Sequence, residues 1–375
     1  MANKGLDTSS SYTFKALEQK YGAFLAPDFV IHVGSIKLDS HKVPVTGLEV
    51  KMGLEGAGYA RFTLQSLYDY KLSKWVSDLI SKIEVGQLVD VEVGYAGSDR
   101  RIFLGYVDSY TISFDSGSSP GISITAMDAM AILNADRREI SFGNLKDDEA
   151  IQKLIKDCKI SELVEKVSFD PIQSQEKNDV KKNVSRGAFI AEQAKKCFFS
   201  FCVINGELIF KNLMKNTKNL ITLTMGLDLK SYQRTVNLKS RMVGKVTVKS
   251  TGDTVSKEPV QSSTAAIPGS SGTDATKVKY LKEAELVVDM GELRTVEECK
   301  AYSENILRSI SWGFMEADAE CIGYPEMTPG RFIRLEGLDK RSNGDYFVTS
   351  VIHSFSSEGY VNKIHMKGFN EKKGG

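Results

Sequence analysis

The stretch VDVEVGYAGSDRRIFLGYVDSYTISF, residues 89–114, decides the fold. Valines alternate with acidic residues at its start, which places Val89, Val91 and Val93 on one face of a β-strand and polar side chains on the other. The polar turn AGSDRR then leads into a second long strand, so the two strands form an antiparallel pair. A strand pair with one apolar face has to bury that face, and this predicts a β-barrel or a β-sandwich.

The same two-residue period continues on the N-terminal side of this stretch. Phe29 and Ile31 begin it, and Phe62 and Leu64 extend it between polar neighbours. We therefore predict that residues 28–135 form a first β-rich domain.

An N-terminal arm, residues 1–27, precedes this domain. Its segment TFKALEQKYGAF places Phe14, Leu17 and Tyr21 on one face of a short helix. An apolar helix face does not identify its partner, so the helix packs either on its own subunit or on a neighbouring one.

The pattern changes to a helical period in the middle of the chain. DDEAIQKLIKDC and SRGAFIAEQAKKC each place apolar residues on one face of a helix. Asn205 and Gly206 supply the tight turn of a following hairpin. We therefore predict a middle α+β domain at 136–240, with helices near 147–160 and 186–197 and a hairpin at 198–210.

Residues 241–372 return to strands and are predicted to form a second β-rich domain. Residues 250–276 within it are rich in Ser, Thr, Gly and Pro, which predicts a flexible insertion. A helix at 295–310 follows, because Thr295 and Glu298 form a capping-box pattern. The predicted fold class is mainly β with α+β, in which two β-rich domains flank a small helix-plus-hairpin domain.

Composition and charge limit the possible functions. The 375-residue chain carries 49 lysines and arginines against 48 aspartates and glutamates, so it has no field that would draw it onto nucleic acid. We expect no specific nucleic-acid binding. The N-terminal sequence lacks the apolar core of a signal peptide, and no apolar run approaches about 20 residues, so we expect synthesis in the cytoplasm and no membrane insertion.

Residue types that perform catalysis or bind metals show no typical spacing. The four histidines lack ligand spacing and the five cysteines lack CxxC pairs, so we predict no metal site and free thiols. The acidic groups at 147–149 and 316–320 could supply the two carboxylates of a glycoside hydrolase. Glu316, Asp318 and Glu320 alternate along a strand, however, and a solvated strand face explains this alternation without any further assumption. We predict no catalytic residue and no cofactor.

The stretch CIGYPEMTPGRFIRLEGLDKRSNGDYFVTSVIHSFSSEGYVNKIHMK near the C-terminus resembles the end of the phage late control protein D family. In that family a G-x-P-x-x-x-P-G turn, a G-x-Y strand and an H-x-F-x-x-x-G-Y hairpin follow one another. The matching positions are Gly323, Pro325, Pro329, Gly330, Gly344, Tyr346, His353, Phe355, Gly359 and Tyr360.

The region around the opening stretch resembles the first barrel of the same family. A G-Y turn, an F-x-G-x-V strand and a later aspartate near a leucine match at Gly94, Tyr95, Phe103, Gly105, Val107, Asp128 and Leu133. SRGAFIAEQAKKCFFSFCVINGELIF resembles the helix and hairpin between the barrels. The resemblance spans most of 28–369, and residues 250–276 have no counterpart in it.

The resemblance implies that the two β-rich domains are related, tail-tube-like antiparallel β-barrels. It further implies the central baseplate hub of a contractile phage tail or tail-like injection system. Such hubs are homotrimers that adapt a hexameric tail tube above to a trimeric spike below, among other baseplate proteins. Because this chain stops soon after the second barrel, we expect the spike to be a separate protein. We expect synthesis in a bacterial cytoplasm and assembly into the tail or particle.

Four residues between strands are candidate contacts with the tube or spike. Trp75, Val76, Leu79 and Ile80 interrupt the strand pattern, and core packing is the alternative role for them. Two other functions fit a β-rich chain with few reactive groups: a carbohydrate-binding or adhesin-like module, and a cell-wall hydrolase.

Overall fold

The computed structural model describes residues 5–39, 45–65, 68–75, 82–114, 120–141, 145–172, 181–238, 242–250, 260–267, 273–291 and 293–371. Over these ranges the chain consists mainly of antiparallel strands with five α-helices, which confirms the predicted β-rich α+β fold class. None of the helices in these ranges has both the length and the apolar character needed to cross a bilayer.

The first strand set follows the N-terminal helix α1 (Phe14–Lys20). Its strands are β1 (Pro27–Val33), β2 (Ile36–Asp39), β3 (Val45–Gly53), β4 (Tyr59–Gln65), the short pair β5 (Tyr68–Asp69) and β6 (Lys74–Trp75), β7 (Leu88–Tyr95), β8 (Ser98–Ser113) and β9 (Gly121–Met127).

The middle section alternates helices with short strands. It contains α2 (Ala129–Ala135), β10 (Arg137–Ser141), α3 (Asp147–Lys156), β11 (Lys166–Phe169), β12 (Lys181–Ser185), α4 (Arg186–Lys196), β13 (Ser200–Ile204) and β14 (Glu207–Lys211).

The second strand set is interrupted by an insertion. Its first strands are β15 (Asn219–Thr224) and β16 (Leu229–Val236). The insertion comprises β17 (Lys245–Ser250), β18 (Val260–Thr264), β19 (Thr273–Asp274), β20 (Glu285–Asp289) and α5 (Val296–Ser311). The set then continues with β21 (Met315–Ile322), β22 (Phe332–Glu336), β23 (Gly344–Ser356), β24 (Gly359–Gly368) and β25 (Asn370–Glu371).

One continuous sheet contains the long strands of both sets. Its order is β16-β21-β24-β23-β3-β4-β9-β8-β7-β1-β2, and β22 pairs with both β23 and β15. The two sets meet where residues 49–53 of β3 pair antiparallel with residues 350–354 of β23. A single hydrophobic core joins side chains from both sets, including Ile31, Phe62, Val351 and Ile364.

The two strand sets repeat one topology. The neighbours β3-β4-β9-β8-β7 in the first set correspond to β16-β21-β24-β23-β22 in the second, in the same chain order and with every pair antiparallel. A register shift lies between Val107 and Ser109 in β8 and between Val348 and Ser350 in β23. The sets differ at the next strand, because β1 pairs antiparallel with β7 whereas β15 pairs parallel with β22.

The strand pairing differs from the predicted domain boundaries. β15 and β16 fall within the middle domain predicted at 136–240, yet they pair with β22 and β21 of the second set. The insertion, predicted as part of the second barrel, forms its own sheet of order β18-β17-β20, and α5 packs on that sheet around Val246, Val248 and Leu307. Alternation of residues shows that a strand exists, but it does not show which distant strand pairs with it.

Part of the predicted flexible insertion at 250–276 is regular structure. Val260–Thr264 forms β18, which pairs with β17. The Thr264 hydroxyl of β18 lies 2.6 Å from the Ser303 hydroxyl of α5. Hydrogen bonds therefore hold β18 in place, although this strand has few apolar residues. Residues 251–259 and 268–272 of this stretch lie outside the described residues.

Local signals in the sequence locate several element ends. Thr295 and Glu298 form a capping box at the start of α5, and the Ser185 hydroxyl accepts a hydrogen bond at the start of α4. Asn205 and Gly206 have φ angles of 46° and 76°, as the tight β13–β14 turn requires.

The N-terminal arm packs on its own chain. Leu17 of α1 and Tyr21, the residue directly after this helix, are buried in the main core. The buried guanidinium of Arg331, directly before β22, donates to the carbonyl oxygens of Asp7 and Ser10, the latter at 2.7 Å. The N-terminal helix therefore packs on its own subunit, which is one of the two alternatives, and not on a neighbouring one.

Candidate functional site

Five of the predicted motif residues meet between the two strand sets. We call Tyr95, Gly323, His353, Phe355 and Tyr360 the motif cluster. The Tyr95 hydroxyl donates to the Gly323 carbonyl oxygen at 2.8 Å, and the Phe355 and Tyr360 rings stack at 4.1 Å. Tyr95 comes from β7 and the others from the second set, so the cluster ties the two sets together.

His353 is the buried polar centre of the motif cluster. Its Nε2 lies 3.0 Å from the Met327 carbonyl oxygen, which can only accept, so Nε2 carries the proton. Its Nδ1 accepts from the Tyr360 hydroxyl at 2.6 Å and from the Asn362 amide at 3.0 Å. Burial therefore favours the neutral ring and lowers the pKa of His353 to about 3.

We expect stability to fall in acid because of His353. Its folded-state pKa lies below the unfolded value, so the unfolded chain binds the proton first and stability is lost as pH falls below about 6.5. The free energy of unfolding should drop by about 2 kcal/mol more in the wild type than in His353→Gln between about pH 8 and pH 5. Chemical denaturation across this range measures the difference.

His32→Gln is the matched control, because its side chain is 41% exposed on β1. It should keep the wild-type pH profile. An unchanged profile in His353→Gln would assign the acid sensitivity to another group.

Close approach explains two glycines of the motifs. A Cβ on Gly323 would overlap the ring of Tyr360, and a Cβ on Gly94 would overlap the Ser98 carbonyl oxygen. These glycines therefore let chain segments pack closely, which is a structural role.

The other motif positions also lie in packed structure. Asp128 caps α2 and accepts from the backbone N–H groups of Gly58 at 2.7 Å and Met130 at 2.9 Å, while burial raises its pKa to about 7. The Tyr346 hydroxyl donates to the Ser342 carbonyl oxygen at 2.7 Å. Gly359 begins β24, and the remaining positions are buried: Phe103, Gly105, Val107, Leu133, Pro325, Pro329, Gly330 and Gly344.

The acidic row on β21 faces a basic row on β24. Glu316, Asp318 and Glu320 lie directly opposite Lys367, His365 and Lys363. The His365 Nδ1 is 2.7 Å from an Asp318 carboxylate oxygen. Both rows point away from the core, so these carboxylates lie on a solvated strand face opposite two lysines and a histidine, as one of the two sequence interpretations predicts.

The other acidic group begins a helix. Asp147, Asp148 and Glu149 occupy the first turn of α3, where the helix dipole favours negative charge. Among the described residues, no group of three or more His, Cys, Asp or Glu side chains could hold a metal ion.

Of the four candidate contact residues, the structure describes only Trp75. The Trp75 ring packs edge-on against Tyr68 at 5.1 Å and lies 5.8 Å from Phe114. Trp75 is half-buried, so it contacts the chain's own core while keeping an exposed part. Val76, Leu79 and Ile80 lie outside the described residues, and their role as contacts stays a prediction.

Sequence reasoning missed an exposed segment at the end of β8. Residues 108–113 extend beyond β7 and are exposed on both faces. A signal for it exists: Val107, Ser109, Ser113 and Phe114 recur with the same spacing at 348–355, as V-x-S-x-x-x-S-F. This repeat links β8 to β23, whose equivalent residues pair with β3.

Comparison with known proteins gives one family and several similar folds. A model of the family described as Alg8 N-terminal domain matches residues 28–357. No curated protein matches the chain.

Solved structures with a similar fold include tail proteins. The 43 kDa tail protein of prophage MuSo2 from Shewanella oneidensis has a TM-score of 0.67 at 16% identity, over 91% of this chain and 98% of that one. The tail protein from Neisseria meningitidis MC58 has a TM-score of 0.66 at 10% identity, over 92% and 97%.

A third similar structure comes from a secretion machine. It is an E. coli protein described as a component of the type VI secretion system with structural similarity to T4 bacteriophage tail proteins. Its TM-score is 0.53 at 10% identity, over 92% of this chain and 77% of that one. At these identities the similarity concerns the fold.

Proposed function

The chain belongs to the family described as Alg8 N-terminal domain, and from its fold we propose that it is the baseplate hub of a contractile tail or tail-like particle. Three copies form a ring that adapts a hexameric tail tube on one side to a trimeric spike on the other. Other baseplate proteins attach around this ring. The chain is made in a bacterial cytoplasm and is then assembled into the particle.

The repeated topology of the two strand sets carries this proposal. One chain presents two equivalent sets, and these already join edge to edge where β3 pairs with β23. Three copies would therefore supply six similar positions around a threefold axis, which is what a hexameric tube and a trimeric spike both need. A closed ring also removes exposed strand edges, which otherwise favour aggregation.

The geometry supports a role in binding without bond chemistry. The motif cluster serves packing, and the β21 carboxylates lie opposite a basic row. The similar fold in two tail proteins is consistent with such a structural role.

Mass measurement of the purified protein tests the ring. Native mass spectrometry and sedimentation should find three times the chain mass of 41.4 kDa, and electron microscopy should show rings with threefold symmetry. A chain that stays monomeric at every concentration and inside the assembled particle would contradict the hub. Binding of that monomer to immobilised glycans would instead favour the carbohydrate-binding alternative.

A further inference from the structure

Several edge segments of the continuous sheet have no strand partner in the described part of the chain, and two of them correspond to the strands that pair with each other at β3·β23. One is residues 108–113 of β8, which continue past the end of β7. The other is the outer edge of β16, the first strand of the sheet. Unpaired backbone edges of this kind are templates for pairing with another strand.

The repeat shows what each edge would pair with. β23 continues past β22 in the same way as β8 continues past β7, and its continuing part pairs with β3. β3 is the counterpart of β16, because each is followed in the chain by its antiparallel neighbour, β4 or β21. The junction β3·β23 within one chain is therefore the counterpart of a junction between β16 and β8.

The residue-by-residue register between β8 and β16 can be derived from the register between β23 and β3. Val107 corresponds to Val348 through the shared V-x-S-x-x-x-S-F pattern, so Tyr110 corresponds to Val351 and Thr111 to Ile352. In β3, Lys51 pairs with Tyr59 of β4, and in β16 Thr235 pairs with Glu316 of β21.

Tyr59 and Glu316 are also counterparts. Tyr59 pairs with Met127 of β9, and Glu316 pairs with Lys367 of β24, the strand that corresponds to β9. Met127 pairs in turn with Tyr106 of β8, and Lys367 pairs with Phe347 of β23. Tyr106 and Phe347 directly precede the equivalent valines Val107 and Val348. Thr235 is therefore the counterpart of Lys51, and Val236 that of Met52.

Side chains at the two unpaired edges are more exposed than the equivalent side chains at the paired β3·β23 junction. Tyr110, Ile112 and Phe114 are 43%, 44% and 53% exposed, whereas their counterparts Val351, His353 and Phe355 are 0%, 0% and 7% exposed. Val236 is 37% exposed, against 4% for Met52. Positions that are buried at the internal junction thus carry exposed apolar side chains at both edges, which indicates a missing neighbour of the same shape.

We propose that residues 108–113 of one copy pair antiparallel with β16 of the next copy of this chain. Tyr110 then lies opposite Val236, Thr111 opposite Thr235, and Ser113 opposite Gln233. Repeated three times, this pairing closes the sheet into a ring and buries Tyr110, Ile112 and Phe114. The inference rests on the proposed ring and specifies its junction.

Cysteine cross-linking tests this register. Thr111→Cys and Thr235→Cys are placed together in the full chain, and copper–phenanthroline serves as the oxidant. Directly opposite residues have Cβ atoms within about 5.5 Å, close enough for a disulfide between copies. We expect a covalent trimer on a non-reducing gel.

Three controls frame the result. Lys51→Cys with Ile352→Cys occupies the equivalent internal pair and should form a disulfide within one chain. Thr111→Cys with Gln233→Cys is two residues out of register, about 7 Å along the strand, and should cross-link poorly. The wild-type chain, with its five free cysteines, should form no covalent trimer.

The outcomes distinguish this inference from the proposed function. A trimer by mass that cross-links through Thr111 and Gln233, or through neither pair while the internal control reacts, would overturn this junction and leave the ring. A monomer by mass would overturn both.

Discussion

Ile112→Lys is expected to convert the trimer into monomers without unfolding the chain. Ile112 is 44% exposed in the single chain, and surface substitutions usually change stability by about 0.5 kcal/mol or less. Its counterpart His353 is fully buried at the internal junction, and the proposed register places residue 112 opposite Arg234, so the new ammonium would be buried beside a second cation at each of the three junctions. Burial of an unpaired charge is strongly unfavourable, and the trimer should become undetectable at micromolar concentration.

Sedimentation and native mass spectrometry measure the mass, and thermal unfolding measures the fold. Val287→Lys is the matched control, because Val287 is 51% exposed on β20, an edge strand of the separate insertion sheet. That variant should remain trimeric. An Ile112→Lys protein that stays trimeric would show that the end of β8 is not buried in the assembly.

Arg331→Met is expected to lower the free energy of unfolding by about 3 kcal/mol and to release the N-terminal arm. The guanidinium is fully buried and donates to the carbonyl oxygens of Asp7 and Ser10. Methionine fills part of the space but donates no hydrogen bond, so these acceptors lose their partner. Denaturant titration gives the stability, and limited proteolysis followed by mass spectrometry detects cleavage within residues 5–12.

Arg334→Met provides the comparison from the neighbouring strand β22. The Arg334 side chain is 47% exposed and pairs with Glu336 at 3.2 Å and Asp345 at 3.4 Å. Exposed ion pairs contribute about 1 kcal/mol or less, so this variant should stay close to the wild type and keep the arm protected. Equal losses in both variants would mean that the buried guanidinium does not hold the arm.

Local features of the fold could be predicted because local residues determine them. The capping box at Thr295 and the Asn205–Gly206 turn depend on residues a few positions apart, and the structure has both. Pairing between distant strands has no such signal. β15 pairs with β22, which lies more than a hundred residues later in the chain. Because of this pairing the second strand set begins at Asn219, before the boundary predicted at residue 241.

The motif cluster was predictable as a set of positions but not as a set of contacts. Gly323 has no Cβ because the ring of Tyr360, from another strand, occupies that space. The tautomer of His353 follows from the Met327 carbonyl oxygen, which the motif does not include. The V-x-S-x-x-x-S-F repeat was present in the sequence, and its meaning depends on the β3·β23 pairing.

The facing rows of β21 and β24 have a consequence for whatever travels through the proposed ring. The hydrophobic core lies on the other face of the sheet, so these rows face solvent. If the closed ring turns this face inward, the bore is lined by Glu316, Asp318 and Glu320 beside Lys367, His365 and Lys363. The two lysines offset two of the three carboxylates, and at physiological salt little of the remaining field reaches beyond about 8 Å. A polyanion and a polycation would therefore meet similar resistance, and the diameter of a molecule, not the sign of its charge, would decide whether it passes.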